Sequence, residues 1–360
     1  MHILFINDQC SFGGVPRVIQ SLCYALDDEG IQTSVLTYYE STDVFLKLPA
    51  NTQTFSLEAT SRFDIKAYLK LKSLLSEIKP DIIHDHFGGL WSFFLHQFKK
   101  CPAVMHYHNE FEPVEESPDA KRSLRNSVFI NRLLSKYDHT VCVSSHNRKQ
   151  LLKLNPGLED HSSVIPNFIP DDFFTDTSPQ KPTPPYKIGF IGRLVYEKGV
   201  DTYLEVMREL NKSTDAEGLI VGSGDANYTK QLKQFVHAHN LPITFIGQVD
   251  DVRPYLDKMD LLLFTSRQEP FGLVLLEAMA RKVPIVGCYP ENGGGPEEIL
   301  GKDFLCTKRD VSKISASSKK VLTDIESRST TLNHIKSISK KYHKNHVIHQ
   351  FIRLYSQLNI

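Results

Sequence analysis

Glu269 and Glu277 stand with seven residues between them in the run Thr265-Ser266-Arg267-Gln268-Glu269-Pro270-Phe271-Gly272-Leu273-Val274-Leu275-Leu276-Glu277-Ala278-Met279-Ala280. An apolar strand-like stretch, Leu261–Phe264, precedes the run, and a helix pattern closes it. Glu269 would sit in the loop. Pro270 suits a first helical turn, where its missing N–H costs nothing. Phe271, Gly272 and Leu273 would then offer free backbone N–H groups. Glu277 falls about two turns into an otherwise apolar helix, and a carboxylate placed there needs partners. The two hydroxyls of a ribose would serve. The same pair of carboxylates could also do general acid/base chemistry or form a salt bridge.

Two cations, Arg193 and Lys198, follow the strand-like stretch 187–191, at the sheet edge where α/β proteins bind ligands. Arg as a fork and Lys as a point charge can neutralise a diphosphate; alone, they read equally as solvated surface cations. Near the N-terminus, Gly13-Gly14 separates a strand from a helix, a geometry that admits phosphate at the helix N-terminus. The pattern is not GxGxxG, so a dinucleotide fingerprint is excluded; a plain tight turn is the alternative. His84 and His86 are two apart, as are His106 and His108, and both pairs fall at strand ends that could converge. There is no HExxH and no CxxC, and hydrogen-bonded cleft histidines are the preferred reading.

These residues need a scaffold, and the alternation of elements supplies one. Short apolar runs at 3–6, 32–38, 81–84, 103–107 and 140–143 alternate with helix patterns at 15–26 and 65–78. This rhythm predicts a parallel sheet with helices on both faces. Residues 176–186, DTSPQKPTPPY, hold four prolines and read as linker. The rhythm then restarts with strands at 187–191, 218–221, 243–246, 261–265 and 285–287, and helices at 201–210, 228–239, 252–259 and 273–280. At 360 residues the chain has room for two such doubly wound domains. The boundaries expected are 1–170 for the first domain, 171–186 for the linker and 187–341 for the second. Ile348, Phe351, Ile352 and Tyr355 form an apolar stripe on a terminal helix that something must cover.

Lys plus Arg and Asp plus Glu both total 42, a balance that argues against a dedicated nucleic-acid binder. No apolar run reaches transmembrane length, and the first residues read as a strand rather than a signal peptide. Six scattered cysteines suit a reducing cytoplasm. The segment 121–136 carries five cations and no acid, with Trp91, Phe93, Phe94, Phe98, Lys99 and Lys100 upstream. It reads either as an ordinary half-buried helix or as a surface for anionic lipid.

Taken together, the chain resembles the GT-B glycosyltransferases of the large retaining family 4, also called group 1. The residues that carry the likeness are Gly13-Gly14-Val15-Pro16-Arg17, Asp81-Ile82-Ile83-His84-Asp85-His86, the strand ending at His108, Val143-Ser144, Val164-Ile165-Pro166-Asn167, Gly192-Arg193-Leu194 with Glu197-Lys198-Gly199, and the span from Glu269 to Glu277. Their order and spacing are more specific than any one of them. The chain departs from the usual pattern at Phe168, where a glycine is common, and in the glycine-rich 291–298 loop with its adjacent glutamates, Glu297 and Glu298.

The resemblance implies two Rossmann-like domains facing a cleft, with a C-terminal helix at about 342–360 crossing back to the first. It implies an acceptor-binding first domain and a donor-binding second one. Gly13 and Gly14 would line the donor site, and Arg193 and Lys198 would hold the diphosphate. Glu269 would bind sugar hydroxyls, the backbone of Phe271, Gly272 and Leu273 would contact sugar and phosphate, and Glu277 would bind the ribose. His108 would stand near the reacting centre, with His106 the alternative. No cofactor and no metal are implied, since the nucleotide sugar is a substrate. The expected activity is retaining hexosyl transfer, with a UDP-sugar the commonest donor. The expected acceptor is a saccharide or lipid-linked one in bacterial surface polysaccharide, lipopolysaccharide, capsule or glycolipid synthesis, at the cytoplasmic face of the membrane. An epimerase on the same scaffold and a non-catalytic partner subunit remain the alternatives.

Overall fold

The structure is a computed structural model, which describes residues 1–8, 13–39, 47–86, 89–108, 129–175, 181–290, 294–301, 304–306 and 309–359. The chain divides into two units: Met1–Asn167 with Lys344–Ile360, and Phe168–His343.

The first unit is built on a seven-stranded sheet in the order β3-β2-β1-β4-β5-β6-β7. Its strands are β1 (His2–Asn7), β2 (Gln32–Thr37), β3 (Gln53–Ser56), β4 (Ile82–Asp85), β5 (Ala103–Tyr107), β6 (His139–Cys142) and β7 (Ser162–Val164). All neighbours pair in parallel. Parallel strands need helical crossovers that cover both faces, and so β1, β4 and β5 are almost wholly buried. The helices are α1 (Gly14–Asp28), α2 (Ile65–Ile78), α3 (Leu90–Phe98) and α4 (Ser145–Leu154), with a further helical stretch at 129–134. Helix α1 starts at Gly14, and Pro16 sits within its first turn. Helix α2 begins where the Asp64 carboxylate accepts from the backbone N–H groups of Lys66 and Ala67 at 3.0 and 3.2 Å, a standard N-cap.

The second unit carries a six-stranded parallel sheet in the order β10-β9-β8-β11-β12-β13. These are β8 (Tyr186–Ile191), β9 (Ala216–Val221), β10 (Ile243–Gly247), β11 (Leu261–Phe264), β12 (Ile285–Cys288) and β13 (Leu305–Cys306). Its helices are α5 (Val200–Leu210), α6 (Ala226–Ala238), α7 (Arg253–Leu256), α8 (Leu273–Ala280), α9 (Gly295–Leu300), α10 (Val311–Thr323) and α11 (Ile325–Lys341). In each sheet the order reverses beside the first strand, between β1 and β4 and between β8 and β11. The carboxyl ends of those strands are where ligands bind in open α/β sheets.

The last helix, α12 (Lys344–Leu358), belongs to the first unit. It buries Val347, Ile348, Phe351, Leu354 and Tyr355. The stripe expected from the sequence thus finds its cover, though Leu354 takes the buried place and Ile352 is half-exposed.

The segment expected to be linker from 171 includes regular structure at both of its ends. Asp171–Phe173 form a short turn of helix in the second unit, where Arg253 pairs with Asp172 at 2.6 Å and Arg281 donates to the Phe173 carbonyl at 3.2 Å. Tyr186, expected as the last linker residue, opens β8. Residues 176–180 lie outside the described residues. The helix expected over 252–259 is only the single turn of α7, because Pro254 suits a first turn and no long apolar stripe follows.

Candidate active site

In the second unit, β8 and β11 end side by side and hand their chains to two loops. The first loop holds Arg193 and Lys198 and closes at Gly199, whose φ of 65° lies in the left-handed region. A Cβ there would stand 2.0 Å from the Thr265 carbonyl oxygen, so glycine is what lets this loop lie against the second. The second loop, 265–272, ends at Gly272, the left-handed N-cap of α8 with φ 99°. Phe271, Gly272 and Leu273 therefore stand at the open end of that helix, where donors and the helix dipole favour an anion.

Lys198 and Glu269, read separately from the sequence, come together as an ion pair with Nζ to Oε2 at 2.6 Å. Both are well shielded, at 20% and 12% side-chain exposure. Arg193 is exposed on the same loop and pairs with no described residue. Glu277 is 8% exposed on α8, as the apolar run around it predicts.

Arg267 was not expected as a site residue. It is 6% exposed and grips the Asp201 carboxylate with both terminal nitrogens, at 2.7 and 2.6 Å. The same guanidinium donates to the Tyr196 carbonyl at 2.7 Å and lies 3.8 Å from the centre of the Tyr196 ring. The Arg267 backbone N–H donates to the Glu197 carbonyl at 2.7 Å. Arg267 thus ties the loop bearing Lys198 to the loop bearing Glu269. Burial alone would raise the Asp201 carboxyl, but the Arg267 hydrogen bonds and charge outweigh it and hold the group below its usual range. Burial and the Asp201 charge push the Tyr228 phenol, which donates to Asp201 at 3.0 Å, up to about 12. The only sequence signal for Arg267 was a lone arginine after a strand. Its partner lies 66 residues away, which no local pattern could supply.

A cavity of about 820 Å³ opens in the same unit. Leu194, Gly222, Ser223, Gly224 and Gly247 line one side of it, and Lys230 and Lys233 of α6 another. Its volume falls within the range of small-molecule sites.

In the first unit, Gly13 caps α1 without a side-chain hydrogen bond, and open space lies where a Cβ of Gly14 would be. Residues 9–12, just before them, lie outside the described residues. The two histidine pairs converge. His84 and His86 stack with ring centres 4.6 Å apart and His106 and His108 at 4.1 Å, while the His86 and His106 rings lie 4.8 Å apart and tilted by 42°. His84 and His106 are fully buried and His86 nearly so, while His108 is half-buried. Burial lowers all four, and His84 and His108 fall to about 3. Each ring is therefore neutral at physiological pH. The sequence left open whether His106 or His108 would face a ligand; of the two, His108 is the one with exposed surface.

Of the basic segment, 121–128 lies outside the described residues. No helix among the described residues is long and apolar enough to cross a membrane. The described cysteines are all free.

Two family profiles tile the chain. Glycosyltransferase Family 4 matches residues 12–173, and Glycosyl transferases group 1 matches 172–337. An uncharacterised glycosyltransferase of Methanocaldococcus jannaschii is 24% identical over 359 residues, covering 96% of this chain and 95% of the relative. The N-acetyl-alpha-D-glucosaminyl L-malate synthase of Bacillus anthracis is 23% identical over 310 residues, covering 81% and 79%. Among solved structures, Anabaena HepE in complex with UDP and glucose superposes with a TM-score of 0.82 at 19% identity, covering 99% of each chain. The fold is GT-B. The chain belongs to the group 1, family 4 glycosyltransferases.

Proposed function

We propose that this protein transfers a hexose from a nucleotide diphosphate sugar, a UDP-sugar, to a saccharide or lipid-linked acceptor with retention at the anomeric carbon. The observation that carries this reading is the gathering of Arg193, the Lys198–Glu269 pair and the N-terminus of α8 at the carboxyl edge of one sheet. Cations and helix N–H groups there match a diphosphate, and a shielded carboxylate matches sugar hydroxyls. The UDP-bound state of Anabaena HepE favours uridine as the base.

In the reaction so read, the bond from the anomeric carbon to the diphosphate oxygen breaks while the acceptor oxygen bonds to that carbon on the same face. The acceptor proton passes to the departing phosphate oxygen. Arg193 and Lys198 stabilise the charge that grows on the diphosphate, with no divalent cation assigned to it. Glu269, held by Lys198, aligns the sugar, and Glu277 takes the ribose hydroxyls. His108, with Gly13 and Gly14, serves the sugar from the first domain. The acceptor pathway we favour is surface polysaccharide or glycolipid synthesis at the cytoplasmic face of a bacterial membrane.

A thermal-shift panel with UDP, GDP, ADP and their sugar conjugates tests the donor. A ligand at a hundredfold its Kd adds about 2.7 kcal/mol of stability. The expected result is a shift with uridine nucleotides alone that disappears in Glu277→Ala. No shift with any nucleotide, with or without anionic vesicles, would favour a non-catalytic partner subunit. Sugar inversion without acceptor would favour an epimerase.

A further inference from the structure

We propose that His84, His86 and His106 form a zinc site in the first unit, beside His108. One ring nitrogen from each lies within 4.8 Å of those of the other two. Tetrahedral zinc holds imidazole nitrogens at about 2.0–2.1 Å, so its ligand atoms stand roughly 3.4 Å apart. Closing that difference means turning the three rings, of which only His84 and His86 are stacked, toward a common point.

The pattern of free and held nitrogens argues for an ion more than the distances do. Nδ1 of His84 is hydrogen-bonded to the Tyr355 hydroxyl at 2.5 Å, and Nδ1 of His86 to Nε2 of His108 at 2.8 Å. In both rings Nε2 is buried with no described partner, and in His106 both nitrogens are. Histidines that bind metal characteristically have one nitrogen held by a second residue and the other directed at the ion. Four unsatisfied nitrogens within one cluster are otherwise costly, since each buried polar atom without a partner forfeits its hydration. Imidazoles alone, with no carboxylate in the set, suit zinc rather than magnesium or calcium. Three protein ligands leave the fourth position to water. The site would pin the ends of β4 and β5 to the last helix through Tyr355. It runs against the metal-free expectation drawn from the sequence.

Elemental analysis of the full-length protein, stripped with a chelator, reloaded with Zn²⁺ and desalted, tests the proposal. About one zinc per chain is expected, falling to background in His106→Gln. Tyr355→Phe should weaken binding by about 10- to 100-fold without changing the stoichiometry. X-ray absorption at the zinc edge of the unsubstituted protein should show imidazole scattering from three ligands at about 2.0 Å, which decides the matter even if His106→Gln fails to fold. No retained zinc, equal zinc in a folded His106→Gln variant, or a spectrum without three imidazoles would each overturn the proposal. The last two would place the ion elsewhere, and the first would leave the cluster to ordered water.

Discussion

Lys198 and Glu269 illustrate how one contact can serve two substrate groups. Paired at 2.6 Å and largely shielded, each holds the other where a diphosphate and a sugar would need it. Lys198→Ala should therefore lower kcat by about 10²- to 10³-fold, the scale of losing one charge-stabilising donor, with little change in the melting temperature. Steady-state kinetics beside a thermal melt checks this, and unchanged turnover would remove Lys198 from the mechanism. Arg267 predicts the opposite balance. Arg267→Ala breaks a two-nitrogen grip on Asp201 and frees both loops. A loss of roughly 1–2 kcal/mol is expected, discounted because Asp201 is 42% exposed. Arg267→Lys should rescue it only in part, since an ammonium cannot form the fork. Denaturant titration reads the stability, and wild-type stability in Arg267→Ala would sink the assignment.

Among the elements, α3 contains an acid-sensitive group away from both candidate sites. His96 is half-buried with its ring 4.4 Å from that of Tyr137. Burial first, then the charges of Lys99 and Lys136, lower it to about 4. The folded state therefore prefers the neutral ring. Its contribution is complete above the unfolded value near 6.5 and is lost as pH falls from there through about 4. The urea midpoint should drop between pH 7 and pH 5, and drop less in His96→Gln; parallel slopes in the two proteins would refute this. Elements such as α3 also mark how far a sequence can be read. The strands β1 and β11 were legible because burial on both faces leaves continuous apolar runs, and β4, β5 and β8 from shorter apolar stretches. Helices α1, α2 and α8 were legible from glycine, proline and apolar spacing. Strands β3 and β7 were not, because QTFS and SSV are short edge strands with little apolar signal. The Arg267–Asp201 grip and the meeting of Lys198 with Glu269 were equally hidden. Each joins residues brought close only by the return of the chain across the sheet.

At the scale of the molecule, each unit has its own core, one around Trp91, Tyr38 and Tyr107 and the other around Tyr203, Phe190 and Leu263. The first unit also buries one face of α12, where Phe351 is 1% exposed and its ring lies 5.7 Å from those of His84 and His106. Phe351→Ala should cost about 3–5 kcal/mol, as for other buried phenylalanines. Limited proteolysis should show the first unit becoming labile while Phe168–His343 stays protected, and uniform lability of both units would contradict that division. Helix α12 also sets an order of events during synthesis. The strands of the first unit are made before the second unit, yet that unit lacks α12 until the second unit has been made. The second unit completes its last helix, α11, at Lys341, just before α12 begins at Lys344. The part made first must therefore finish last, and it waits with an apolar groove open that a nascent-chain chaperone would recognise.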